Sequence, residues 1–318
     1  MRLSILALIY ALLVGSAIAQ DAYPSKPVRI VSPSPAGGPN DVMARLYAQR
    51  LGERAKTTFI VENRVGATGT VGTDYVVKAL PDGYTVLFTV DLPITMAPAL
   101  FKVPYEVTRD LQPVAGVLES MNLLAVHPSI AANSLAELIA LGKAKPGALT
   151  FASAGNASPG HVCGELLKGA SGVDFTHVPY KGAAPASTAV LSGEVSMFCG
   201  PIPMLAPQVK NGKLRALGVT GPRPSPLVPE LTPLSATMPG LVVTNWYGVF
   251  VPLKTPPAVV DYLRGEFRRV TDDPEVRQRL TTMGLDVRWM DTAELTQAIH
   301  SDLARWTKVV RDANIKAD

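Results

Sequence analysis

The sequence predicts an α/β protein of two lobes built on parallel sheets. Two observations carry that expectation. Short β-branched runs alternate with segments of helical period along most of the chain, the pattern of parallel strands joined by helical crossovers. The 318 residues also exceed what one hydrophobic core usually organises, which favours two lobes over one. With 47% hydrophobic and 18% charged residues the composition is that of an ordered chain.

The chain opens with one cation, Arg2, an apolar run from Leu3 to Val14, and the small-x-small site Ala17-Ile18-Ala19. Residues 1–19 are therefore predicted as a cleavable signal peptide, with an exported chain beginning near Gln20. The run is shorter than the roughly 20 residues that span a bilayer, and no later stretch is long enough. Pro27 to Val31, Phe59 to Glu62, Tyr84 to Val90, Leu123 to His127 and Leu149 to Ala152 read as strands. After the first of them, Val42, Met43, Leu46, Tyr47 and Leu51 make one helical apolar stripe. Ser134-Leu135-Ala136-Glu137 is a capping box, and Lys143, Lys145 and Pro146-Gly147 mark that helix's exit. Five prolines between Pro222 and Pro233 punctuate a loop bracketed by Leu214 to Thr220 and the strand-like Tyr247 to Val251. The remainder reads as helix, short helix, strand and long helix. The last opens at Asp291-Thr292-Ala293-Glu294 and is expected to pack back on the first lobe.

Net charge is +4, but the basic residues are scattered and aromatics are few, which excludes a nucleic-acid surface. Two cysteines, Cys163 and Cys199, exclude a disulfide scaffold and a CxxC metal or redox site. They are expected near one another on the cleft side of the second lobe, and whether they bond is left open.

Two loops carry the chemistry. In Ser32-Pro33-Ser34-Pro35-Ala36-Gly37-Gly38-Pro39-Asn40-Asp41, Gly38 is the expected N-cap, Pro39 the first helical residue, and Asp41 part of the first turn. Amides at such a start suit a carboxylate, because the helix end carries about half a positive charge. The alternative is an ordinary strand-to-helix loop in which Asp41 caps its own helix. A second loop, Phe151 to His161, repeats the design with Ser158 as N-cap and Pro159 behind it. Two anion-receptive helix starts on separate halves suggest a ligand gripped from both sides.

Enzyme readings fare worse. Asn156-Ala157-Ser158-Pro159-Gly160 approaches a nucleophile elbow, but Asn156 stands where its first glycine belongs, and His161 is too near to be the usual base. No local feature selects a partner for Cys163 or Cys199 among His127, His161, His177 and His300. Gly66-Ala67-Thr68-Gly69-Thr70-Val71-Gly72 has the spacing GxxGxxG rather than GxGxxG, and no acid about twenty residues on supports a dinucleotide site. Metal-ligand spacings and a Walker A sequence are absent, so no cofactor is expected.

Read together, these loops resemble the Bug family, the extracytoplasmic receptors of tripartite tricarboxylate transporters. Its landmarks here are Tyr23-Pro24-Ser25-Lys26-Pro27, the Pro-x-Gly-Gly-x-x-Asp loop, Val61-Glu62-Asn63-Arg64, Pro81-Asp82-Gly83-Tyr84-Thr85, Ala152-Ser153-Ala154-Gly155-Asn156, His177-Val178-Pro179-Tyr180-Lys181-Gly182, Gly212-Lys213-Leu214-Arg215-Ala216-Leu217, and Trp306 to Ile315. The resemblance implies a two-lobed type II periplasmic-binding-protein fold with a central cleft and two crossing strands, lobe 1 being residues 20–121 and 245–318 and lobe 2 residues 122–244. It implies ligand contacts from Pro35, Ala36, Gly37, Gly38, Asn40 and Asp41, and from Ser153, Ala154, Gly155, Asn156, Ser158 and His161. Thr89, Asp91 and Leu92, and Tyr180, Lys181 and Gly182, should border the cleft. Cys199 and Gly200 follow Met197-Phe198, where many relatives carry an acid. Without that acid no ligand ammonium is required.

By the same resemblance the protein is a monomeric periplasmic receptor that catalyses nothing. It is expected to capture a small di- or tricarboxylate or aromatic carboxylate, close by hinge motion, and deliver it to integral-membrane subunits; the two helix starts favour a ligand with two anionic ends over one. A sensor module presenting its ligand to a signalling partner is the second reading.

Overall fold

A computed structural model describes residues 23–156 and 158–312; the predicted leader and its cleavage site lie outside the described residues. Ten strands form one curled sheet in the order β2-β1-β3-β9-β4-β7-β5-β6, with β8 and β10 also on β4. In the first half, β1 (Val28–Ser32), β2 (Phe59–Asn63) and β3 (Thr85–Val90) run parallel, and β9 (Thr244–Pro252) pairs antiparallel with β3. In the second half, β5 (Thr150–Ser153), β6 (Thr176–Pro179) and β7 (Met197–Pro201) run parallel, and β8 (Arg215–Val219) flanks β4.

β4 (Leu111–Val126) belongs to both halves. As far as Met121 it pairs with β9, and with β10 (Asp286–Met290) along part of that stretch; from Asn122 it pairs with β7 and β8. The sequence reading recovered only its end, because Pro113, Gly116 and Glu119 interrupt the apolar run earlier on. Thr220 pins the crossing. Its backbone bonds Asn122 and Val243, and its hydroxyl accepts from Asn122 N at 2.9 Å while donating to Val243 O at 2.6 Å.

Helices cover both faces. In the first half, α1 (Pro39–Ala55) and α9 (Pro257–Asp272) seal one face. Tyr47 stacks on Phe267 with centroids 5.6 Å apart, and its hydroxyl lies 2.9 Å from that of Thr271. In the second half β4 is buried on both faces. Met121, Leu123 and Ala125 enter one cluster and Leu124 and Val126 the other, as strand alternation requires. Each large apolar side chain so buried contributes roughly 1.5–3 kcal/mol.

The other helices are α2 (Thr70–Val77), α3 (Ala97–Leu100), α4 (Val107–Asp110), α5 (Leu135–Ala144), α6 (Pro159–Ser171), α7 (Ala183–Ser192), α8 (Ile202–Lys210), α10 (Pro274–Thr282) and α11 (Thr292–Asp312). A π-helical turn, Leu92–Met96, runs directly into α3. The C-terminal order of helix, short helix, strand and long helix is as read from the sequence. α11 opens on a reciprocal cap, Glu294 N to Asp291 Oδ1 at 2.9 Å and Asp291 N to Glu294 Oε2 at 3.2 Å. It packs on the π turn and α3 as expected of a tail on the first half, and it also carries Trp306 into the apolar cluster of the second. Arg305 donates to Val242 O and Trp246 to Asp302, so this helix braces the crossing strands.

Candidate functional site

Between the halves lies a cavity of about 440 Å³. Thr68, Asp91, Leu92, Met96, Leu100 and Phe101 wall it from the first half, and Asn156, Ser158, Pro159 and Val162 from the second. Val243 and Asn245 of the crossing strand and Trp306 of α11 close the back. A smaller cavity of about 240 Å³ adjoins it, sharing Pro159 and Asn245 and reaching Pro39, Ala154, Ala183 and Cys199. The first residues of α1 and α6 thus meet at one cleft. Within a helix the leading amides have no intrahelical acceptor, so both starts offer positive ends there.

In the first loop the sequence pattern plays out locally as expected. Gly38 is the N-cap of α1 and Pro39 its first residue. Gly37 sits at φ +79°, a conformation that favours glycine. Asp41 is buried, and its carboxylate accepts from Gly37 N at 2.8 Å, Arg45 Nε at 2.9 Å and Asn63 Nδ2 at 2.8 Å. Burial acts to raise this carboxyl, but those bonds outweigh it and hold it below the usual range. Asp41 therefore holds the loop, the alternative the sequence left open. Asn40 is buried too, donating to Ser32 Oγ and to Phe88 O, both at 2.9 Å. Pro35, Ala36 and Gly37 are exposed and Gly38 half-buried, and of this loop Pro39 is the residue that lines the cleft.

Similar logic organises the second loop. Ser158 caps α6 by accepting from His161 N. Ser153 has no exposed surface; its hydroxyl donates to Gly155 O at 3.0 Å and lies 2.7 Å from His177 Nε2. That is the spacing of a nucleophile and its base, yet no substrate reaches a serine buried in this way. His177 stacks on His161 with centroids 4.0 Å apart. Burial, then the neighbouring His161, push His177 down to about 4, and burial lowers His161 as well. Neither imidazole is a cation at neutral pH. Ala154, Asn156 and Ser158 face the cleft, whereas Gly155 lies against Tyr180 O.

The remaining predicted residues separate. Asp91 and Leu92 line the large cavity, while Thr89 is buried in β3. Tyr180 reaches away to Glu194 Oε1 at 2.7 Å, Lys181 is exposed and Gly182 half-buried, and Ala183, one residue on, takes the cleft position. Cys199 lines the smaller cavity and Gly200 is buried behind it. Burial, and then the adjacent Cys163 thiol, raise the Cys199 thiol; the two cysteines are neighbours as expected, but only Cys199 lines the cleft, Cys163 lying in the apolar core behind it. Met96, Leu100, Phe101, Val162 and Trp306 escaped the sequence reading because apolar residues at helical spacing look like ordinary core. Thr68 escaped as part of a tight turn; its φ of +57° in a non-glycine residue marks strain at the rim.

Asp91 alters the electrostatic expectation. No acid stands at Cys199, but Asp91, expected to border the cleft, brings one into the cavity. Burial pushes its carboxyl well above the usual range; Asp302 adds to this and Arg305 opposes it. No lysine or arginine lines either cavity among the described residues.

Comparison with known proteins agrees with this architecture. The family described as "Tripartite tricarboxylate transporter family receptor" matches residues 43–315. Protein BugT of Bordetella pertussis is 31% identical over 308 residues, covering 95% of this chain and 94% of that protein. Rpa4515 of R. palustris, solved with adipate, is 30% identical with a TM-score of 0.74, over 92% of this chain and 99% of that one. MatC from Rhodopseudomonas palustris, solved with bound malate, is 31% identical with a TM-score of 0.69, over 91% and 100% of the two chains.

Proposed function

The chain belongs to the tripartite tricarboxylate transporter receptor family, and from that premise we propose that it captures a small organic carboxylate in the periplasm and hands it to the membrane subunits of a tripartite transporter. The cleft at which the starts of α1 and α6 converge carries this reading, because two helix ends aimed at one space suit an anion and do no chemistry on it. Relatives solved with adipate and malate support the ligand class.

The working unit in this proposal is a monomer of two lobes, residues 20–121 with 245–318 and residues 122–244. The exchange of β4 partners at Met121 and Asn122 supports that division. Of the residues predicted from sequence, Asp91, Leu92, Ala154, Asn156, Ser158 and Cys199 are the ones that line the cleft, and they are taken as ligand-facing.

A thermal-shift screen tests the reading. Carboxylates should stabilise the protein, by about 2.7 kcal/mol at 100 times the dissociation constant, while sugars and amino acids do not. Asn156→Asp adds a negative charge at the cavity wall on an exposed residue and should weaken carboxylate binding at least about tenfold at close range. Shifts with sugars or amino acids alone would sink the proposal.

A further inference from the structure

The large cavity contains no cation and is mostly apolar beyond the helix starts. Its first-half wall is Leu92, Met96, Leu100 and Phe101, Trp306 closes the back, and its one ionisable side chain is the acid Asp91. Malate and adipate, the ligands named for two relatives, carry a carboxylate at each end. One such group can rest where the two cavities meet at Pro159, beside the α6 start. With the ligand's body in the 440 Å³ cavity, the other would then enter an apolar wall with an acid in it, since Pro39 at the α1 start lines only the smaller cavity. A buried carboxylate is tolerated only when a positive group or several donors replace its water; no lysine or arginine lines this cavity, and Arg305, stacked on the Trp306 ring at 4.2 Å, is already paired with Asp302. The cavity does supply one donor suited to an uncharged atom: Trp306 is 1% exposed, and no described residue accepts from its indole N–H. A space of about 440 Å³ is also within the range that encloses a ring or a short branched chain.

We propose that the ligand is a monocarboxylate with a substantial apolar body, an aryl or medium-chain alkyl acid, its anion at the start of α6 and its body against Met96, Leu100, Phe101 and Trp306. This rests on the receptor reading above and replaces the sequence expectation of two anionic ends. Deeper in the cavity the ligand carries no charge, and at most an uncharged polar substituent faces Trp306 and Asp91.

The test compares monoanions with dianions of similar length on the full mature chain. Benzoate, phenylacetate and hexanoate are titrated beside adipate, malate and citrate, with calorimetry and tryptophan fluorescence as readouts. At least one monoanion should bind about tenfold or more tightly than adipate, the penalty for burying an unpaired second carboxylate. Leu100→Lys, at a half-buried wall position, supplies the missing cation and should shift that ratio toward adipate about tenfold. If adipate, malate or citrate binds most tightly to the parent protein, the inference is overturned and the receptor reading stands. An unchanged ratio in a Leu100→Lys protein with a parent-like melting temperature also overturns it. If no carboxylate of either kind binds, both readings fall.

Discussion

Replacing Asp41 by asparagine asks whether a carboxylate holds the glycine loop of the first half. Asp41 is 2% exposed; its Oδ2 receives Gly37 N and Arg45 Nε, and its Oδ1 receives Asn63 Nδ2. Asparagine keeps the shape but turns one acceptor into a donor. With its oxygen toward Gly37 and Arg45, its NH2 meets the NH2 of Asn63; turned over, it meets two donors. At least one hydrogen bond to a charged acceptor is lost, worth about 1.5–3 kcal/mol. The Arg45 pair also weakens, and because Arg45 is 53% exposed that adds at most about 1 kcal/mol. The expected loss is about 2–3 kcal/mol, or roughly 4–10 °C in melting temperature for a chain of this size. Differential scanning calorimetry measures it. The native bonds hold the Asp41 carboxyl low, so its contribution is present above the unfolded value and fades as pH falls through the folded one. Parent and variant should therefore converge below about pH 4. Equal melting temperatures at pH 7 would refute the role assigned to this carboxylate.

Two further outcomes concern buried titratable groups. Asp91 has its folded value raised, so its contribution is full below the unfolded value and is lost as pH rises through the folded one; ligand-free parent protein should lose melting temperature relative to Asp91→Asn as pH rises above about 4, and parallel profiles would contradict this. His177 is depressed to about 4, so its contribution is present above about pH 6.5 and lost as pH falls toward 4; His177→Phe should flatten the parent's acid-side decline in urea stability, and an undiminished slope would count against the stacked neutral pair.

The helix starts of the site were legible in the sequence because capping is local chemistry. Gly38-Pro39 and Ser158-Pro159 announce themselves within four residues, and both helices begin there. What each side chain does was less legible. Asp41 and Ser153 sit at the correct loops, yet both turn inward to hold backbone, and residue spacing does not record which way a side chain turns. The apolar wall was not legible at all, since Leu100, Val162, Val243 and Trp306 come from four distant stretches that only the folded sheet unites. Asp91 was placed at the cleft border by the family resemblance, and it lines the cavity. Its burial beside Asp302 depends on α11, two hundred residues later in approximate terms, docking on the π turn.

The path of the chain through the crossing strands has a consequence for the order in which the molecule is completed. Met121, where the chain leaves the first half, pairs directly with Thr244, where it returns, so residues 122–243 form a detour that begins and ends at one point. The detour holds a continuous stretch of chain whose strands can pair as soon as it has emerged, although its apolar cluster is completed only when Trp306 of α11 arrives. The first half must wait, because β9 is the strand that lies between β3 and β4. Until β9 arrives, those two strands present open edges able to pair with other chains, the hazard that edge strands carry. Once the detour has folded, its two ends are neighbours, and the entropic cost of bringing β9 back to β4 is largely met already. A chain cut anywhere between Asn122 and Val243 leaves the first half without its central strand, however well the rest has folded.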